Sequence, residues 1–148
     1  MRTATGTGLF VVALVIIAGT AFADTYVIRP DGLGDFPTIH DAIFNASDGD
    51  TIELTDGFFR GDGNRDIGVP SRPITIRSQS GNFTECVIDC EGSARAEHRG
   101  FTFSTAVGTG DALLEGIGII NGYTTSSSGA GIWVDGANPE INGCAVMS

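Results

Sequence analysis

The stretch DCEGSARAEHRG carries Asp89, Glu91, Glu97, His98 and Arg99 within eleven residues. Carboxylates beside an imidazole and a guanidinium are the side chains that general acid–base work requires, so the segment is a weak acid–base cluster. The glycine and alanines between them make it a loop, and a charged, solvated loop accounts for the same residues without chemistry. A second set comes from strand alternation. In Thr51-Ile52-Glu53-Leu54, Ile74-Thr75-Ile76-Arg77, Phe101-Thr102-Phe103-Ser104 and Ile132-Trp133-Val134-Asp135, one face of each segment is apolar. The other face then carries two columns: Thr51, Thr75, Thr102 and Trp133, and beside them Glu53, Arg77, Ser104 and Asp135. Trp133 offers a flat apolar platform for a sugar ring, and Arg77, Asp135 and Glu53 offer partners for hydroxyls or a carboxylate. Cover by the loop at Thr124 to Ser128 is the competing fate for Trp133.

The elements that must position these residues are mostly strands. Twenty-two glycines and short β-branched runs separated by turn residues point to an all-β chain with frequent corners. One helix interrupts it: in DFPTIHDAIFNASDGD, Ile39, Ala42, Ile43 and Ala46 recur at helical spacing, Thr38 and Asp41 form a capping box, and Gly49 ends the helix. His40 falls on its flank, in solvent. The four segments above start 22, 27 and 31 residues apart when Ile52, Ile74, Phe101 and Ile132 are taken as equivalent, and LEGIGI at Leu114 matches INGCAV at Ile141 residue for residue, 27 positions later. Such periods predict stacked coils, here a right-handed parallel β-helix with an N-terminal capping helix and a single inward ladder of those positions. A β-sandwich would also use short strands, but it does not account for one helix followed by repeats that lengthen in their loops.

At the N-terminus, Arg2, the apolar run Leu9 to Ala18 and Ala21-Phe22-Ala23 read as a secretory signal peptide over 1–23, cleaved before Asp24. The run is shorter than the roughly 20 residues of a membrane span. The predicted domain covers 24–148, with a capping segment at 25–50 and the repeats at 51–148. Net charge is −10, and −11 once Arg2 leaves with the leader, a balance that repels nucleic acid. It also means that an acidic polysaccharide would need a cation or a local Arg cluster to bind. Cys86 and Cys90, if four residues apart in one strand, are separated by about 13 Å, too far for a disulfide, and no further ligands complete a metal site. With Cys144, they are expected to be small buried apolar residues. DGLGDF and SDGDT lack calcium-loop ligand spacing and read as turns.

The stretch YVIRPDGLGDFPTIHDAIFNASDGDTIELTDGFF, with EGIGIING and GAGIWVDGANPEINGC later, resembles the pectin-lyase-like right-handed β-helix superfamily. The resemblance implies an entry strand, a turn at Asp31 to Phe36, a helix plugging the coil, and then successive rungs. The superfamily's catalytic aspartates and its calcium-binding carboxylates with a catalytic Arg are absent from this sequence, so no residue role carries over; calcium is implied only for a lyase-like activity. The reading is of a secreted or cell-envelope module that binds extracellular polysaccharide or serves as a stalk. The alternative is the N-terminal fragment of a polysaccharide lyase, esterase or hydrolase. The segment 131–148 is expected to be an incomplete rung with Cys144 and Val146 near an uncapped end, where further chain or a partner would dock.

Overall fold

A computed structural model describes residues 22–104, 111–125 and 129–147; the expected signal peptide lies outside them except for Phe22 and Ala23. The chain forms β1 (Thr25–Ile28), α1 (Ile39–Asn45), β2 (Thr51–Leu54), β3 (Gly57–Phe59), β4 (Ile67–Pro70), β5 (Thr75–Ser78), β6 (Cys86–Asp89), β7 (Phe101–Ser104), β8 (Leu113–Glu115), β9 (Gly118–Ile120), β10 (Ile132–Asp135), β11 (Glu140–Asn142) and β12 (Ala145–Met147). These strands make three parallel sheets: a five-stranded one ordered β1-β2-β5-β8-β11, a four-stranded one ordered β12-β9-β6-β3, and a three-stranded one ordered β10-β7-β4. Consecutive strands enter different sheets, so no strand pairs with its nearest neighbour in sequence except β1 with β2, which α1 separates.

These assignments overturn the expected fold. The right-handed parallel β-helix was drawn from Ile52, Ile74, Phe101 and Ile132 as equivalent positions of one ladder, and they do not share a sheet. β2 and β5 lie in the five-stranded sheet, whereas β7 and β10 pair with each other in the three-stranded one. Ile74 precedes β5, and the partner of Ile52 is Ile76. The physical reason is that an alternating apolar strand presents the same pattern whichever sheet it joins, so spacing alone merged strands of two kinds. The architecture is therefore three parallel sheets and one short helix.

Packing follows from the register. In the five-stranded sheet Ile52, Ile76 and Leu114 are aligned partners and all three are fully buried. Phe59, Ile88 and Ile119 do the same in the four-stranded sheet, and Ile67 with Phe101, and Val69 with Phe103, in the three-stranded one. Each such side chain contributes roughly 1.5 to 3 kcal/mol when removed from water. One helix face, Ile39, Ala42, Ile43 and Ala46, is buried against the same core, as the spacing predicted. Its N-cap is Thr38, whose Oγ1 accepts from the Asp41 N–H and donates to the Asp41 carboxylate. The helix stops at Asn45, four residues before the expected Gly49, and Ala46 is already extended. Asp50 explains why: its buried carboxylate accepts from Ser47 N and Asp24 N, fixing the turn after the helix and the start of β1. At the last strand of each sheet, core-facing residues are less covered, with Ile141 at 40% and Val146 at 56% exposed against 0% for Leu114 and Ile119, their partners one strand earlier.

Replacing Ile76 by Ala is expected to lower unfolding free energy by about 2–5 kcal/mol, because the cavity opens between two covered strands. The same change at Ile141 is expected to cost under about 1.5 kcal/mol; denaturant midpoints of the two variants check the difference.

Candidate functional site

The outward face of the five-stranded sheet carries a polar column fixed by the same register that stacks its core. Glu53 on β2 pairs with Arg77 on β5, Arg77 with Glu115 on β8, and Glu115 with Asn142 on β11. Adjacent members stand about 4.8 Å apart along the stacking direction. Arg77 donates through Nε (3.0 Å) and Nη2 (2.7 Å) to Glu53 Oε2, and Gln79 Nε2 donates to Glu53 Oε1 (3.0 Å). Glu53 is thus held in one orientation. Ser80 donates to Asp56 Oδ1 and closes the next corner.

This column floors an open groove of about 430 Å³, with Gln79, Ser80 and three glycines, Gly81, Gly116 and Gly143, along one side. The glycines mark successive corners in the left-handed backbone region, where L side chains are strained. At Gly116 an added Cβ would lie 3.0 Å from Gly81 Cα, so a side chain here would push neighbouring corners apart. The groove consequently offers carboxylate and carbonyl acceptors beside guanidinium and amide donors, interleaved with apolar surface. Among the described residues no group of three or more His, Cys, Asp or Glu side chains is arranged to hold a metal ion.

Of the four binding residues read from the sequence, the structure brings Glu53 and Arg77 together and places Trp133 and Asp135 elsewhere. Those two lie on β10 in the three-stranded sheet, opposite Thr102 and Ser104. Trp133 also has a partner already: the Arg99 guanidinium carbon sits 5.3 Å from its ring centroid. Arg99 further donates to Thr124 Oγ1 and the Gly129 carbonyl. Glu115, Gln79, Ser80 and Asn142 were missed. The signal for two of them was present, since the match of LEGIGI to INGCAV aligns Glu115 with Asn142.

The acid–base cluster separates into distinct ion pairs and hydrogen bonds that join neighbouring loops. Asp89, nearly buried, accepts from Arg60 Nε (2.9 Å) and Asn121 Nδ2 (2.8 Å). Glu91 accepts from Arg65 Nη1 and the Gly61 N–H. His98 Nδ1 meets Asp66 Oδ2 at 2.6 Å, and Arg99 N donates to Asp66 Oδ1. Glu97 accepts from the Thr124 and Thr125 hydroxyls, which hold its carboxyl below its usual range. Each of these groups is committed to a partner that ties one loop to another. Burial alone pushes the Asp89 carboxyl up, but the bonds from Asn121, Arg60 and the Glu91 N–H outweigh it and leave the group below the ordinary carboxylate range. The three cysteines are unpaired, and burial pushes the Cys86 and Cys90 thiols up to about 12, which leaves them unreactive. In DGLGDF and SDGDT, Asp31, Asp35 and Asp50 serve backbone donors, as turns do: Asp31 accepts from Leu33 N, Asp35 from Val27 N, and Asp50 from Ser47 N and Asp24 N.

No protein-family model matches this chain. No curated protein and no solved structure matches it either, so these comparisons do not identify the pectin-lyase-like superfamily.

Because the ionised Asp89 is the form the fold stabilises, its contribution is complete above the unfolded carboxyl value of about 3.9 and is lost as pH falls through the lower folded value. Asp89→Asn is therefore expected to be less stable than the parent by about 1–3 kcal/mol at pH 7. The gap should close as the pH is lowered below about 4, which thermal unfolding across a pH series measures.

Proposed function

We propose that this chain is a non-catalytic binding module for an extracellular polysaccharide, and that the groove on the five-stranded sheet is where the polymer lies. One observation carries the reading: Glu53, Arg77, Glu115 and Asn142 form an ordered row of alternating acceptors and donors, one per strand, on an open face. A chain of sugar rings presents hydroxyls at a spacing comparable to the strand separation, so one ring can meet each strand. The mixture of signs favours a neutral, hydroxyl-rich polymer over a polyanion, since two carboxylates flank the single guanidinium and the chain as a whole is strongly acidic. The openness of the groove suits binding along a polymer rather than enclosure of a small molecule. Delivery to the cell exterior or envelope rests on the signal-peptide reading of 1–23. Among the described residues no helix is long and apolar enough to cross a membrane.

A glycan array probed with residues 24–148 is expected to retain the protein on neutral polysaccharides. Arg77→Ala should weaken that retention roughly tenfold or more, the loss of hydrogen bonds made by a charged group. An array that stays silent, or an Arg77→Ala variant that binds as the parent does, contradicts the proposal. Release of unsaturated uronides from an acidic polymer in the presence of calcium would show an enzyme instead.

A further inference from the structure

Two Asn-Gly steps occur in the chain, Asn121-Gly122 and Asn142-Gly143. Such a step can close on itself, because the glycine backbone nitrogen, with no Cβ beside it to obstruct the approach, can attack the carbonyl carbon of the asparagine side chain. The structure places the two steps in opposite settings. Asn121 Nδ2 donates to Asp89 Oδ1 (2.8 Å), and that carboxylate is buried and also accepts from Arg60 Nε. The Asn121 carbonyl accepts from Gly92 N (2.8 Å). Gly122 is wedged against another segment, since an added Cβ would stand 2.3 Å from the Ala130 carbonyl oxygen. Turning the Asn121 carboxamide over the Gly122 nitrogen therefore breaks a bond to a charged group, in a segment that neighbouring backbone holds in place. Asn142 ends β11, the outermost strand of its sheet, and both Asn142 and Gly143 are exposed. Its Nδ2 donates to Glu140 Oε1 (2.8 Å), an exposed side chain two residues back on the same strand, so donor and acceptor move together with the strand end. An added Cβ at Gly143 would come no nearer than 3.9 Å to Gly116 N, which leaves the step room to move. β11 is covered on one side only, and a strand so placed opens at lower free energy than one covered on both.

We propose that Asn142 is a site of spontaneous modification in the folded protein. The Gly143 nitrogen bonds to Asn142 Cγ, and the carboxamide nitrogen leaves as ammonia, taking up the proton that the Gly143 nitrogen gives up; the product is a succinimide. Water then opens the ring at either carbonyl, giving aspartate or isoaspartate. Either product puts a new carboxylate at the end of the row formed by Glu53, Arg77 and Glu115, so the floor of the groove gains negative charge as the protein ages. The modification stands whether or not the groove binds a polymer.

The test is peptide mapping by mass spectrometry of the purified protein held in warm, mildly alkaline buffer, with and without guanidinium chloride. In the folded protein the Asn142 peptide is expected to gain the mass of an amide turned to an acid and to contain isoaspartate, at a rate roughly tenfold or more above that of Asn121. In guanidinium chloride the two sites are expected to convert at comparable rates, because the difference comes from the fold. Asn142→Gln, whose longer side chain would have to close a larger ring, should stop the change at that position and remove the more acidic species that accumulates on ion exchange. The proposal is overturned if Asn142 stays intact in the folded protein while it converts in denaturant, if Asn121 converts as fast as Asn142 in the folded protein, or if Asn142 keeps its lead when the chain is unfolded.

Discussion

The register of the five-stranded sheet is the constraint on which the rest depends. Side chains alternate across a strand with a period of two, so the pairing that aligns Ile52, Ile76 and Leu114 in the core also aligns Glu53, Arg77 and Glu115 outside it. A slip by one residue would carry isoleucine into water and a glutamate–arginine pair into the core. Burial of the three aliphatic side chains penalises that slip by several kcal/mol, whereas the exposed Glu53–Arg77 ion pair adds at most about 1 kcal/mol. Hydrophobic packing therefore builds the polar row, and the ion pair refines its orientation.

The corners obey the same division of labour. Carboxylates fix the corners of the chain: buried Asp50 after the helix, buried Asp89 opposite Arg60 and Asn121, and exposed Asp66 opposite His98 and Arg99. This is why so acidic a chain folds without neutralising its surface. Several of its carboxylates accept backbone or side-chain N–H bonds that turns would otherwise leave unmade. The residues that looked like acid–base machinery are largely the fasteners of these corners.

Much of this was legible in the sequence, but not the sheet membership. The helix face at Ile39, Ala42, Ile43 and Ala46 followed from spacing, and the outward side of Glu53 and Arg77 followed from alternation. Trp133 and Asp135 were misplaced because their strand alternates just as β2 and β5 do, and alternation says which face a residue takes without saying which sheet. The uneven spacing hid the grouping further: Glu53 to Arg77 spans 24 residues, whereas Arg77 to Glu115 spans 38, because the loops around β7 intervene. The match between Glu115 and Asn142 was the undisturbed repeat, and it was correct.

Native-state amide hydrogen exchange tests the sheet register most directly. If β5 is covered on both sides by β2 and β8, its amides and those of the adjoining β8 should exchange slowest in the five-stranded sheet, through openings close to global unfolding, while those of the outermost strand β11 exchange much faster. Amides of β5 that exchange as fast as those of β11 would contradict the register, and with it the row of side chains that forms the groove.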